Sequence, residues 1–344
     1  MRAKRIFLIG DFKDEKPQSV YVDERKLLKG FIRLGHDVQH FSYRNVMMQA
    51  SPFAKKRWGK GRAKRKADKI LVEQVRYYFP DIVVMTSLKH MDGPLVQAMR
   101  QAAPGAILLG RDGDPYPQTH PNRLEAGRYL DIVLMPNSGK FLEAFKNAGA
   151  KHCAFLPFAV DPDILYRHEN PPAELISDVV FTGTAEHGGL PHEDDRYDIL
   201  CRLRDYPRAK LFGCFGHPKT QGLDCFRALS ASKIGLSINI ANDVRLYHSD
   251  RFVHIPACGT FMLAKRVPGY ELMFEDGIHC RYFDTVDEFF ELVDWYLEHE
   301  DEREKIAQAG MQRAYEQFNC TKVAGHLVDL AMKGSYDAPW AETL

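Results

Sequence analysis

The segment Ser249–Leu263, SDRFVHIPACGTFML, gathers residue types that can hold an anion. Arg251 and His254 stand one turn apart in a helix-like stretch that leads to Cys258-Gly259-Thr260 and another strand. Small residues at a helix end let a diphosphate come near the backbone. An arginine at that point can neutralise the phosphate with a bidentate hydrogen bond. A structural arginine and a satisfied histidine account for the same letters, so both readings are open here. Thr182-Gly183-Thr184 follows a buried strand. Glycine there either lets backbone N–H groups approach an anion, with the Thr184 hydroxyl as a further donor, or merely turns the chain. Gly213–Gly216 (GCFG), after the next strand, carries the same two meanings.

Other constellations are weaker. HGGLPHEDD at 187–195 places His187 and His192 beside acids, which fits a metal site, a surface loop before a helix, or a flank to Thr184. Gly-x-Ser-x-Gly, Walker A and HExxH motifs do not occur. Seven cysteines without a CxxC pair read as reduced, intracellular thiols. With 47 basic and 46 acidic residues the chain has no global pull toward nucleic acid or anionic lipid, so an electrostatic partner needs a local patch. The one strong patch is Lys55–Lys69, with nine Lys or Arg against one Asp. It is either a solvated face or a surface for an anionic acceptor or the membrane that carries it. Trp58 is its only aromatic, so nucleic acid is not the expected partner.

These residues need a scaffold, and the rhythm of the chain supplies one. Short apolar runs alternate with helical patterns, as in parallel βαβ units. Strands are expected at Arg5–Ile9, His36–Phe41, Asp81–Met85, Ala106–Leu109, Asp131–Met135 and Cys153–Leu156. A second series follows at Asp178–Thr182, Ala209–Phe212, Ile234–Ile238 and Phe261–Ala264. Helical spacing marks 21–34, Leu95–Ala102, Ser138–Ala148, Arg196–Leu203, Asp287–Glu298 and Glu302–Gln317. The Pro- and Asp-rich stretch Phe158–Pro172 is the natural boundary. We therefore expect domains at 1–160 and 161–320, with a tail at 321–344 packing back on the first. Ligands of such sheets sit at the carboxyl ends of strands. The apolar run Ile6–Ile9 is only four residues long and ends in Gly-Asp, which fits a strand rather than a secretion signal, and a cytoplasmic protein is expected.

The run RFVHIPACGTFML resembles the signature of the CgeB-like, spore-maturation glycosyltransferases. The downstream stretch YELMFEDGIHCRYFDTVDEFFELVDWYLEHEDEREKIAQAG is similar too, as are LGHDV at 34–38, PDIVV at 80–84 and VVFTG at 179–183. The likeness is specific over 249–310 and diffuse in the N-terminal half. It implies an α/β architecture of the GT-B type: two Rossmann-like, doubly wound parallel-sheet domains facing across a cleft. The donor, a UDP- or GDP-linked sugar, would be held mainly by the second. It also implies transfer to an acceptor hydroxyl without a metal. On that basis Arg251 would face the diphosphate, beside the turn at Gly259 and Thr260, and Gly183 would follow the first strand of the second domain. His254 stands where the family has an acid that binds the donor ribose, and it too can hydrogen-bond a hydroxyl. This departure leaves two alternatives: a non-catalytic nucleotide-sugar-binding protein, or a sugar-nucleotide epimerase of the same fold. An inverting transferase needs a base. The loop RDGDPYPQTH at 111–120 offers Asp112, Asp114 and His120, with Asp11 and His90 as further options. An Asx-type turn before Pro115 also accounts for that loop, and its D-G-D resembles the metal-binding DxD of the other glycosyltransferase fold, which fits poorly with a GT-B chain.

Overall fold

Runs such as IVVM at 82–85 and IVLM at 132–135 are buried along their whole length, which only a sheet covered on both faces requires. The computed structural model describes residues 2–12, 22–50, 57–113, 120–187, 190–191 and 195–344, with backbone alone at 57–59, 186–187 and 190–191. Two units result, Met1–Pro157 with Cys320–Leu344, and Phe158–Asn319.

In the first unit, β1 (Arg5–Gly10), α1 (Asp23–Arg33), β2 (Asp37–Ser42), α2 (Tyr43–Gln49), α3 (Arg57–Tyr78) and β3 (Ile82–Met85) come first. They are followed by α4 (Gly93–Ala102), β4 (Ile107–Arg111), α5 (Pro121–Gly127), β5 (Ile132–Met135), α6 (Lys140–Asn147) and β6 (His152–Phe155). The sheet is wholly parallel in the order β2-β1-β3-β4-β5-β6. Helix starts are set locally: Asp92 caps α4 by accepting from the Leu95 N–H at 3.0 Å, and Pro94 sits in the first turn.

In the second unit, β7 (Ser177–Thr182) leads through the two-residue strands β8 (Glu186–His187) and β9 (Leu190–Pro191) to α7 (Asp195–Arg204) and β10 (Ala209–Phe212). Then come α8 (Leu223–Ser230), β11 (Ser232–Ser237), α9 (Arg251–Ala257), β12 (Phe261–Lys265), β13 (Arg281–Phe283), α10 (Val286–Glu298) and α11 (Glu300–Phe318). This sheet is also parallel, in the order β10-β7-β11-β12-β13. The last helix, α12 (Cys320–Lys333), packs on α1, and residues 342–344 pair with β6 through Cys153 and Phe155.

Each sheet reverses its order once, between β1 and β3 and between β7 and β11, which is where doubly wound sheets open a crevice at their carboxyl ends. The parallel strands lie where the sequence places them, except β13, which none of the expected runs marks. Helices α2, α5 and α8 were not expected, and the basic segment proves to be largely the start of a 22-residue helix. Among the described residues no helix is long and apolar enough to cross a membrane.

Candidate functional site

Arg251 begins α9 and spans the crevice of the second unit. Its Nη1 donates to the carbonyl of Thr182, the last residue of β7, at 2.8 Å. Its Nη2 donates to the carbonyl of Ile238, just past β11, at 2.9 Å. The guanidinium carbon lies 5.0 Å from the centroid of the Phe181 ring. Burial is the main influence on the group and pushes its pKa down, yet a guanidinium stays protonated. Among the described residues no carboxylate forms an ion pair with it, and its Nε has no partner. Arg196, from α7, joins the same place: it donates to the carbonyls of Ile238 and Thr184 and stands 5.4 Å from the Phe181 ring.

Two glycines make room. A Cβ at Gly183 would lie 2.8 Å from Arg251 Nη1 and 2.9 Å from Phe181 Cζ. At Gly213, where φ is +91°, it would lie 2.8 Å from the Gly183 carbonyl oxygen and 2.9 Å from Lys219 Cγ. Lys219 is exposed and, among the described residues, pairs with no acid. The Gly183 N–H itself donates to the Phe212 carbonyl at 2.8 Å, so the glycines give room rather than donors. The positive charge around them comes from the anchored Arg251 and Arg196 and the exposed Lys219, a composition suited to an anion. Thr184 lies on this rim with its side chain exposed and its carbonyl bonded to Arg196.

A buried amide fixes the loop that delivers Arg251. Asn239 donates to the Tyr247 carbonyl at 3.0 Å and to Tyr270 Oη at 2.8 Å, and its Oδ1 accepts from the Ser249 N–H at 3.2 Å. Tyr270, stacked on Phe252 with centroids 3.9 Å apart, has its phenol pKa pushed well up by burial. Lys219, Arg196 and Asn239 escaped the sequence reading because none sits in a motif. Their signal is position, each lying in or beside a connection that follows a strand.

The other end of α9 corrects the sequence reading. Gly259 and Thr260 precede β12, at the amino end of the sheet, whereas the crevice is at the carboxyl end. Their N–H groups already bond the carbonyls of Pro256 and Ile255 at 2.8 and 3.3 Å. Thr260 Oγ1 donates to the Leu229 carbonyl at 2.6 Å, and Gly259 (φ +72°) is packed by the Arg167 side chain. Neither offers a donor to a phosphate, and a helix C-terminus repels one. His254, one turn in from Arg251, is buried, edge-on to Phe226 at 5.7 Å and 3.9 Å from Asp250 Oδ2.

In the first unit, Asp112 is buried and both its oxygens meet Arg123 Nη1, at 3.1 and 3.2 Å. An engaged, inward carboxylate is poorly suited to take a proton from a substrate. Asp114 and His192 lie outside the described residues, as does the side chain of His187. His120 is exposed ahead of α5. His90 is half-buried and stacked on Tyr43 at 5.1 Å; burial first, then Lys89, hold its pKa low, so the ring is neutral near pH 7. Asp11 lies 4.0 Å from Arg44.

The carboxyl that the sequence reading missed is Glu24, in the first turn of α1 at the β1–β3 crevice. Thr86 Oγ1 lies 3.0 Å from its Oε1. A Cβ at Gly10 would come within 2.4 Å of Glu24 Cγ, so glycine at the end of β1 is what admits this side chain. Burial, and then the charge of Asp23, raise its pKa above the ordinary carboxylate value.

A family model described as "Glycosyl transferase-like" matches residues 186–329, less than half of the chain. No curated protein sequence matches. Among solved structures, the chain is similar to sucrose-phosphate synthase from Thermosynechococcus elongatus (13% identity, TM-score 0.64, covering 96% of this chain and 98% of that one). It is similar to the Anabaena protein HepE in complex with UDP and glucose (14%, TM-score 0.59, 96% and 100%). It is also similar to an alpha-glucosyltransferase in complex with UDP and a 13-mer DNA containing a HMU base (10%, TM-score 0.61, 96% and 100%). At such identities the likeness is one of fold. The chain has two parallel-sheet α/β units and the GT-B glycosyltransferase fold.

Proposed function

We propose that the protein is a glycosyltransferase that moves a sugar from a nucleotide-diphosphate donor to an acceptor hydroxyl, with the donor diphosphate at the β7–β11 crevice. One observation carries this reading: the Arg251 guanidinium, tied to two strand-end carbonyls beside Gly183 and Gly213, feels the charge of Asp250 but forms no ion pair with a described carboxylate. Arg251 and Lys219 supply the positive charge that the leaving diphosphate needs, so transfer proceeds without a divalent cation. UDP is the nucleotide to try first, because HepE and the alpha-glucosyltransferase are complexes with UDP; GDP is the second. The CgeB-like affiliation belongs to this proposal and rests on the run from Arg251 to Leu263. His254, too buried to be reached freely, makes a poor ribose ligand in the observed arrangement. In the first unit Glu24 fits a general base better than Asp112, since its pKa is raised rather than its charge engaged.

The test is incubation with UDP- and GDP-sugars in the presence of a chelator. Release of one nucleotide, accelerated by an acceptor, supports transfer. Appearance of a different sugar nucleotide makes the protein an epimerase. Tight binding without turnover makes it a non-catalytic binder.

A further inference from the structure

Helix α3 has two unlike faces. Ala63, Ala67, Leu71 and Val75, spaced four apart, are fully buried and hold it to the first unit. The opposite face exposes Arg62, Arg65, Lys66, Lys69 and Arg76. Its single acid, Glu73, is bonded to Arg76 at 2.8 Å. Lys64, on the flank, is already held by Asp68 and Asp92 at 2.8 and 2.9 Å. Arg62, Arg65 and Lys69 have no carboxylate partner among the described residues. Toward its end the helix adds apolar surface. Tyr77 is 83% exposed and Ile70 39%, and both line a groove of about 500 Å³ with Lys69 and Tyr78.

A row of cations along a 22-residue rod, roughly 33 Å long, continued by an aromatic and an aliphatic side chain, presents a line of charge and then something to bury. We propose that this face of α3 seats the protein on an anionic lipid surface. Arg62, Arg65 and Lys69 lie against headgroup phosphates, beside Lys66, whose Nζ donates to the Ala50 carbonyl at 3.2 Å, and Ile70 and Tyr77 enter the interfacial layer. A helix lying in the plane of a bilayer uses both kinds of residue at once. A nucleic-acid backbone would use the cations and leave Ile70 and Tyr77 in water. The proposal stands independently of the donor site, and extends the basic segment read from sequence, Lys55–Lys69, as far as Tyr77.

The test is co-sedimentation of the full chain with phosphatidylcholine vesicles, with and without roughly a third phosphatidylglycerol, at low and high salt. Binding is expected only to the anionic vesicles, and high salt releases it by screening. Each neutralised cation lowers partition about fivefold, so Arg62→Gln/Arg65→Gln/Lys69→Gln lowers it about a hundredfold. Tyr77→Ala weakens binding but keeps the salt dependence, and Arg62→Lys/Arg65→Lys retains it. Circular dichroism checks folding; if the triple variant fails that check, the single variants are read instead, each about fivefold weaker. Equal binding to neutral vesicles, no binding to anionic ones, or binding insensitive to the triple variant overturns the proposal. So does a duplex DNA oligonucleotide that binds through the same residues while anionic vesicles do not.

Discussion

A Cβ at Gly183 would lie 2.8 Å from Nη1 of Arg251, so the guanidinium occupies the space that any side chain at 183 needs. The two residues are 68 positions apart in sequence (251 − 183) and form one device at the end of β7. Gly183→Ala must displace either Arg251 or the Phe181 ring, at a cost of about 1–3 kcal/mol for overpacking. The variant is expected to unfold at lower temperature and to bind UDP at least tenfold more weakly in calorimetric titration. Wild-type affinity would separate the arginine from the nucleotide.

Arg251 and Lys219 should part company when each is removed. Arg251→Ala takes the guanidinium from the Thr182 carbonyl and leaves the Ile238 carbonyl only the longer bond from Arg196, so it loses about 1–3 kcal/mol of stability. It also loses a charge-assisted bond to the donor, roughly ten- to a hundredfold in Kd. Lys219 is exposed and touches no acid among the described residues, so Lys219→Ala should leave the melting temperature unchanged and still weaken UDP. Equal effects of both on stability, or no effect of Lys219→Ala on binding, would remove Lys219 from the phosphate site.

How far the sequence foretold this depends on what each residue's neighbours are. The strands were legible because a parallel strand buried on both faces has to be a continuous apolar run, as in DIVVM and DIVLM. Helix α3 was not, because half of its buried stripe is Ala63 and Ala67, whose small side chains do not stand out among nine cations. Arg251 stands out in the sequence through its company, the run from Ser249 to Leu263. Thr260 was misjudged because nine residues along the chain (260 − 251) include a helix that runs from one end of the sheet to the other, at about 1.5 Å per residue. Asp112 looked available because nothing in RDGDPYPQTH says that Arg123 captures it. Glu24 was invisible because its meaning comes from Gly10 and Thr86, which approach it only in the fold.

Thr260 provides a test of that correction. Its hydroxyl is buried and donates to the Leu229 carbonyl at 2.6 Å. Thr260→Val takes its side-chain donor from that carbonyl, and should cost about 1–3 kcal/mol in denaturant unfolding. UDP affinity should stay within twofold of wild type, judged against the general error of about 0.5 kcal/mol for distant sites. A large loss of affinity at unchanged stability would return Thr260 to the donor site.

Glu24 makes the protein's stability depend on pH in a definite direction. Its folded pKa is raised, first by burial and then by Asp23, while the hydroxyl of Thr86 and the N–H of Asp11 act against the shift. The folded state therefore holds a proton that the unfolded chain has already released. Stability from this group is fully present below the ordinary carboxylate value and is lost as pH rises through the raised one. Glu24→Gln keeps the shape and removes the titration. Unfolding measured from about pH 4 to about pH 8 should show the variant level with wild type at the acid end and more stable at the alkaline end. The same substitution should suppress transfer to the acceptor while leaving UDP binding intact, because the group acts on a proton and not on the phosphates. Wild type, for its part, should gain activity as pH rises through the raised value, since only the carboxylate accepts a proton. Parallel stability curves for the two proteins would mean that Glu24 ionises as an exposed carboxylate does. Transfer by Glu24→Gln at the wild-type rate would place the base elsewhere.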